Sequence, residues 1–124
     1  MVSNVKGDFI RIAPHKGVLI PSGVYSKFKN DIALVAFNKS GVAVNSHLQV
    51  GACVVDSSFQ GMIFFNLYNY SDEHIDIPLG KKIIQFLRLK LDISEVVIRQ
   101  GESLGSFYEK KSNRGEGCLG STGD

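Results

Sequence analysis

The stretch Gly51-Ala52-Cys53-Val54-Val55-Asp56-Ser57-Ser58-Phe59-Gln60-Gly61-Met62-Ile63-Phe64-Phe65-Asn66-Leu67 decides how this chain is read. Two apolar, β-prone runs flank a short polar tip that ends in glycine. Ser, Asp and Gly stand where a chain must reverse, so the segment predicts a β-hairpin. Asp56 is the unusual residue, since it follows two valines directly at the mouth of the turn, with the Phe59 ring three positions on. A carboxylate held beside an aromatic wall is able to act as a base on water. An aspartate at that place also starts a turn through its own side-chain hydrogen bond. On this segment alone both readings stand.

Outward from this centre, short β-prone segments alternate with turn signals. Phe9-Ile10-Arg11-Ile12 has the partial alternation of a half-buried strand. Val18-Leu19-Ile20 leads into Pro21-Ser22-Gly23, a turn in which proline presets φ and glycine accepts a positive one. Residues 24–28 are a further strand candidate, and residues 31–37 a stronger one. Residues 42–50 accommodate one helical turn and then a strand. Beyond the central segment, residues 71–74 form a turn, Ile75-Asp76-Ile77 a strand, and Pro78-Leu79-Gly80 another turn. In the strand that follows, Ile83, Leu87, Leu89 and Leu91 share a face with Gln85. A glutamine in an apolar row is costly to bury unpaired, so it either bonds a neighbouring backbone group or lines a site. No segment sustains a helical period. Many short strands separated by Gly, Pro and Ser turns predict an all-β sandwich or barrel.

Size and composition bound the function. A chain of 124 residues accommodates one domain with a real core. Its 44% hydrophobic and 21% charged content is ordinary for a soluble globular protein. A net charge of +2 makes no case for nucleic acid or an anionic membrane as partner. No apolar run reaches the length of a membrane span, and the first residues lack the apolar core of a signal peptide, so a cytoplasmic protein is expected. Cys53 and Cys118 are far apart, and His15, His47 and His74 are scattered, which predicts neither a zinc site nor a disulfide framework.

Two further places carry candidate chemistry. Asn38-Lys39-Ser40-Gly41 is either a plain surface loop or a phosphate-touching one, because hydroxyl, backbone N–H and ammonium all donate to oxygen anions. Near the end of the chain, six of the 13 glycines fall in the last 24 residues. Residues 109–124 hold almost no apolar side chains and predict a flexible arm on a core of residues 1–108. The arm is either a frayed terminus or an anion-closing segment, with glycines 115, 117, 120 and 123 letting N–H groups converge and Arg114 adding charge. The spacing from Gly115 to Gly120 imitates a P-loop, but Ser121 stands where its lysine belongs, and that reading is rejected.

Four of these stretches, in order, resemble the motifs of the trimeric dUTPase family. Lys39-Ser40-Gly41 is similar to the second motif, with lysine in place of the family's arginine. Residues 54–61 resemble the third, a hairpin, with Cys53 in place of its first glycine. Gly80-Lys81-Lys82-Ile83-Ile84-Gln85-Phe86-Leu87 resembles the fourth, and residues 114–123 the fifth. The family's first motif finds no match in residues 1–20, as in a shortened variant or one without its N-terminal strand.

The resemblance implies a distorted jelly roll and a homotrimer with active sites shared between subunits. It implies hydrolysis of dUTP to dUMP and pyrophosphate with Mg²⁺ carried mainly by the phosphates, in the host cytoplasm if the source is viral. Asp56 is then the catalytic residue that orients and deprotonates the attacking water. Lys39, Ser40, Gly41 and Gln85 hold the triphosphate, while Phe59 packs on the sugar and excludes a 2′-hydroxyl. Backbone groups around Val54, Val55 and Phe64 read the uracil. The arm, with Arg114, Leu119, Gly120 and Ser121, closes over the nucleotide; Leu119 takes the place of a stacking phenylalanine, and Cys118 that of a glycine. Two other readings follow from the same likeness. One is a non-catalytic nucleotide-binding or regulatory protein. The other is a dCTP deaminase relative, whose chemistry needs a glutamate where this chain has Asn66.

Overall fold

Alternating burial along short strands builds a core between two small antiparallel sheets. The computed structural model describes residues 5–117. In one sheet, β1 (Val5–Lys6) pairs with β2 (Phe9–Ile12), and β2 with β8 (Ile75–Pro78). Ile10 and Ile12 of β2 point inward. Arg11 points out and grips Asp76 of β8 with two bonds of 2.7 and 2.8 Å, drawing that carboxyl below the ordinary carboxylate range. This ion pair is surface-exposed and adds little to stability. In a second sheet, β3 (Gly17–Pro21), β7 (Phe64–Asn69) and β5 (Leu48–Val50) run in the order β3-β7-β5. Val18, Ile20, Leu48 and Leu67 bury against Ile10, Ile12 and Ile77 of the first sheet. Complete burial of a leucine such as Leu48 or Leu67 contributes about 2 kcal/mol.

One polar side chain sits inside this core. Asn69, at the end of β7, has no solvent exposure, and all its hydrogen-bonding groups are used. Its amide nitrogen donates to the carbonyls of Ile12, Ala13 and Glu73 at 3.1, 3.2 and 2.8 Å. Its oxygen accepts from the Ser71 N–H and hydroxyl at 2.9 and 2.8 Å. A buried amide this well satisfied fixes the end of β2 against the turn before β8 instead of costing its desolvation.

The third sheet has the order β6-β4-β9, from β4 (Ile32–Asn38), β6 (Val54–Val55) and β9 (Ile84–Lys90). Its inner face carries Ala36, Ile84 and Phe86, whose ring meets Phe65 of β7 at 6.0 Å. Its outer face follows from the register. Phe37 lies opposite Gln85, Val35 lies between Leu87 and Val54, and Ala33 is opposite Leu89. Phe37, Val54, Leu87 and Leu89 on that face are exposed. The shared face expected for Gln85, Leu87 and Leu89 is therefore real but looks outward, whereas Ile83, expected on it, precedes β9 and is buried in the core. A helix, α1 (Ser40–Ser46), joins β4 to β5; it buries Val42 and ends at His47, whose φ of +51° is left-handed.

The fold is all-β as predicted, and these sheets do not close into a barrel. Two local expectations differ. The central hairpin is one in sequence but not in pairing: β6 joins β4, while β7 joins β3 and β5. β5 and β7 are the true antiparallel neighbours, and residues 51–63 leave them, add two rungs to another sheet and return. Residues 24–28 form no strand. The Ser22 hydroxyl bonds the Ile63 carbonyl at 2.6 Å and accepts from the Val24 N–H at 2.9 Å, and Gly23 takes a φ of +72°. Backbone bonds from the Ser22 N–H to the Ile63 carbonyl at 3.2 Å and from the Ile63 N–H to the Val24 carbonyl at 2.9 Å carry the contact as far as Val24, with Gly23 between them.

The chain divides into two compact units, Met1–Ile93 and Ser94–Asp124. Within the second, α2 (Leu104–Phe107) is capped by the Ser103 hydroxyl, which accepts from the Ser106 N–H. The same unit exposes Val96, Val97 and Ile98. Among the described residues, no helix is long and apolar enough to cross a membrane.

Candidate functional site

Where β4 gives way to α1, the start of β9 lies alongside, because Phe37 pairs with Gln85 and Asn38 with Ile84. A pocket of about 390 Å³ opens there, lined by Lys39, Ser40, Gly41, Val42, Asn45, Ser46, Lys81 and Gln85. Lys39 is the residue before the helix, in extended conformation, and Ser40 and Gly41 begin its first turn, where backbone N–H groups lack intrahelical acceptors. The Gln85 side-chain nitrogen donates to the Asn38 carbonyl at 2.8 Å. Gln85 thus bonds a neighbouring backbone group, as one reading expected, and it also lines the pocket. The Asn38 side chain accepts from the Val50 N–H at 2.8 Å and ties the rim of the pocket to β5. The lining has two ammonium groups, hydroxyls and amides, and no carboxylate. Such a surface suits an oxyanion.

The sequence-predicted residues Lys39, Ser40, Gly41 and Gln85 are therefore brought together. Lys81, Asn45 and Ser46 were not predicted. The available signal for Lys81 was its place four residues before Gln85, just after a glycine turn; Gly80 has a φ of +81°.

Asp56 occupies the other end of the same sheet. Its Oδ1 accepts from the Ser58 N–H at 2.8 Å and from the Ser58 hydroxyl at 2.5 Å, and its carbonyl accepts from the Phe59 N–H at 3.4 Å. Asp56 thus does start the turn. The Ser58 hydroxyl first, and the Ser58 N–H second, hold its carboxyl below the ordinary carboxylate range. The residue remains exposed, and Oδ2 has no hydrogen bond among the described residues. An ionised carboxylate with one oxygen anchored and one directed elsewhere orients water well and is a weak base. The Phe59 ring folds over Gly61, where an added Cβ would lie 2.7 Å from it, so only glycine admits this approach. Val54, Phe59 and Phe64 are exposed and Val55 half-buried.

Asp56 does not line the pocket. Continuing the register of β6 sets it level with Ala33, whereas Gln85 is level with Phe37. That separation is about 13 Å along the strands and about 10 Å across them. Asn66 holds the root of the Asp56 excursion. Its oxygen accepts from the Ala52 N–H at 2.7 Å, and its nitrogen donates to the Val18 carbonyl at 3.2 Å, so its amide is engaged with backbone.

In the second unit, the Arg114 Nε donates to the Gly117 carbonyl at 2.7 Å, and Gly115 has a φ of +55°. Leu119, Gly120 and Ser121 lie outside the described residues. Among the described residues no three His, Cys, Asp or Glu side chains are arranged to hold a metal ion.

Fold and pocket together define an all-β protein with a cationic, carboxylate-free pocket at a strand–helix junction. The chain belongs to the dUTPase family, whose model matches residues 5–123. It is 31% identical over 104 residues to the deoxyuridine 5′-triphosphate nucleotidohydrolase of Yarrowia lipolytica, covering 84% of this chain and 58% of that protein. It is 32% identical over 114 residues to the enzyme of the same name from Eremothecium gossypii, covering 91% of this chain and 65% of that one. The chain thus spans about three-fifths of the length of these curated relatives. Its fold is similar to that of a mutant Staphylococcus bacteriophage 80alpha dUTPase solved with dUpNHpp, with a TM-score of 0.73 and 19% identity over 94% of this chain and 82% of that one.

Proposed function

We propose that this chain is a dUTP diphosphatase, hydrolysing dUTP to dUMP and pyrophosphate as a homotrimer with shared sites. One observation carries the reading: in a dUTPase-family chain, Lys39, Ser40 and Gly41 converge with Gln85 on one pocket that holds cations and no carboxylate. The Lys39 ammonium, the Ser40 hydroxyl and the free proton of the Gln85 amide donate to the triphosphate. Lysine here gives charge without the bidentate fork of arginine. Mg²⁺ enters as part of the substrate, carried mainly by its phosphates, since this cation keeps waters and needs few protein ligands.

Asp56 aligns a water with the α-phosphorus. As the new P–O bond forms, the bond to the bridging oxygen breaks, pyrophosphate departs, and the water proton passes to the carboxylate. The lowered pKa of Asp56 makes it a weak base, so alignment is its larger contribution. Phe59 packs on the deoxyribose, backbone groups around Val54, Val55 and Phe64 read the uracil, and Arg114 with Leu119, Gly120 and Ser121 closes over the nucleotide.

Two features support assembly. Asp56 lies far from its own pocket, so a second copy supplies it. The outer face of β6-β4-β9 also presents Phe37, Val54, Leu87 and Leu89 to solvent, a contiguous apolar surface suited to contact between copies.

The test is the purified protein with Mg²⁺ and, separately, dUTP, dCTP, dTTP and UTP, scored for pyrophosphate and for deamination. Pyrophosphate from dUTP alone is expected. UTP fails because the Phe59 ring leaves no room for a 2′-hydroxyl. Deamination of dCTP, or the absence of any turnover, overturns the reading.

A further inference from the structure

Two ammonium groups line the pocket, and only Lys39 has a place in the reading above. Lys81 is set by its backbone. The turn before β9 closes with the Lys81 N–H donating to the Pro78 carbonyl at 3.2 Å, and the positive φ of Gly80 is what allows the chain to reverse there. The side chain that leaves this turn enters the lining with Lys39 and Gln85. Among the described residues, neither lysine makes an ion pair. Two like charges on one concave surface repel, and the lining supplies no carboxylate to offset them. An anion carrying several charges removes that repulsion and gains from both groups. Lys82, the next residue, carries the same charge but lies outside the lining.

We propose that Lys81 is a second polyphosphate-binding cation of this pocket, acting with Lys39, so that the site takes inorganic tripolyphosphate and pyrophosphate as well as a nucleotide. The role rests on the phosphate-site reading and deepens it. It also accounts for how a pocket with a lysine in its second motif neutralises a polyphosphate: two point charges share what one planar fork does elsewhere. The product pyrophosphate is then a competitive inhibitor held by the same two side chains.

The experiment uses the full chain in its native assembly and titrates inorganic tripolyphosphate, with and without Mg²⁺, by calorimetry. Lys81→Ala, Lys81→Arg and Lys82→Ala are compared with the unchanged protein, and melting temperatures verify that each is folded. Lys81→Ala is expected to weaken tripolyphosphate by about tenfold or more, the scale of one charge-assisted hydrogen bond. Lys81→Arg retains binding, and Lys82→Ala stays within about twofold, since a screened exposed charge contributes little. Equal weakening by Lys81→Ala and Lys82→Ala overturns the proposal, as does an unaffected Lys81→Ala or an unchanged protein that binds no tripolyphosphate. Turnover of dUTP is measured in parallel. Binding through Lys81 without any turnover sinks the diphosphatase reading and keeps this one. Turnover with KM and binding unchanged in Lys81→Ala does the reverse.

Discussion

Replacing Gly51 by alanine tests how the excursion bearing Asp56 is rooted. The φ of Gly51 is not in the left-handed region, so backbone strain is not what selects glycine; space is. An added Cβ would lie 1.9 Å from the Asn66 Oδ1 and 2.9 Å from its Cγ. The asparagine must therefore swing away and give up its bonds to the Ala52 N–H and the Val18 carbonyl. Water replaces the first partner easily because that bond is exposed, and the second less easily because it is part-buried. At about 1 kcal/mol for each net bond, with a surplus for the poorly solvated carbonyl, the cost is about 2–3 kcal/mol. For a chain of this length that is a fall of about 10 °C in Tm, compared at equal protomer concentration. Asn66→Ala alone costs about 2 kcal/mol by the same count. The decisive measurement is the double variant. With Asn66 truncated, alanine at 51 meets no side-chain oxygen and adds less than about 1 kcal/mol, giving a coupling of roughly 2 kcal/mol. Costs that simply add, within about 0.5 kcal/mol, refute the contact and the reason given for glycine.

Three further outcomes are expected. Asp56→Asn keeps an oxygen for the Ser58 donors, so melting temperature and nucleotide binding hold while kcat falls by about 10² or more; loss of fold and binding together would leave Asp56 only its turn-starting role. Ser58→Ala removes the main cause of the lowered Asp56 pKa, which then moves upward toward the ordinary carboxylate value. The acid limb of kcat/KM for dUTP hydrolysis therefore shifts to higher pH relative to the unchanged protein; an unmoved limb would show that Asp56 does not govern it. Deleting residues 113–124 removes Arg114 and should abolish turnover while leaving Tm intact. Mixing this truncation with Asp56→Asn chains should then restore partial activity if sites draw on different subunits. A mixture that stays inactive after proven subunit exchange contradicts shared sites.

The strands were legible wherever burial alternates within a few residues. Ile10 and Ile12 flanking Arg11 declare their inward face without outside help, whereas the unbroken apolar run Val18-Leu19-Ile20 does not. Pairing was not legible in the same way. Nothing local to Val54 and Val55 indicates β4 as their neighbour rather than β7, because the choice depends on strands about twenty residues upstream. Residues 24–28 are β-prone, but the N–H of Val24, the first of them, goes to the Ser22 hydroxyl instead of a strand partner. At the site, Lys39 and Ser40 could be suspected from their chemistry, yet their meeting with Gln85 is a fact of register, which only the family resemblance anticipated. Two adjacent lysines after a glycine look like an ordinary solvated turn, which hides the place of Lys81 in the lining. For Asp56 the turn-starting bond uses only Oδ1, so the turn reading leaves Oδ2 for other partners.

The buried amide of Asn69 has a consequence for the order in which the chain folds. Two of its acceptors, the carbonyls of Ile12 and Ala13, are 57 and 56 residues away in sequence. Those bonds exist only once the N-terminal strand has docked, so the entropy of closing a long loop must be met before they form. The local bonds to Ser71 and Glu73 can form early and shape the turn, whereas the long-range pair arrives late. Removing the amide should thus leave the folding rate nearly unchanged and quicken unfolding, which makes Asn69 a latch on the finished structure and a guardian of its lifetime.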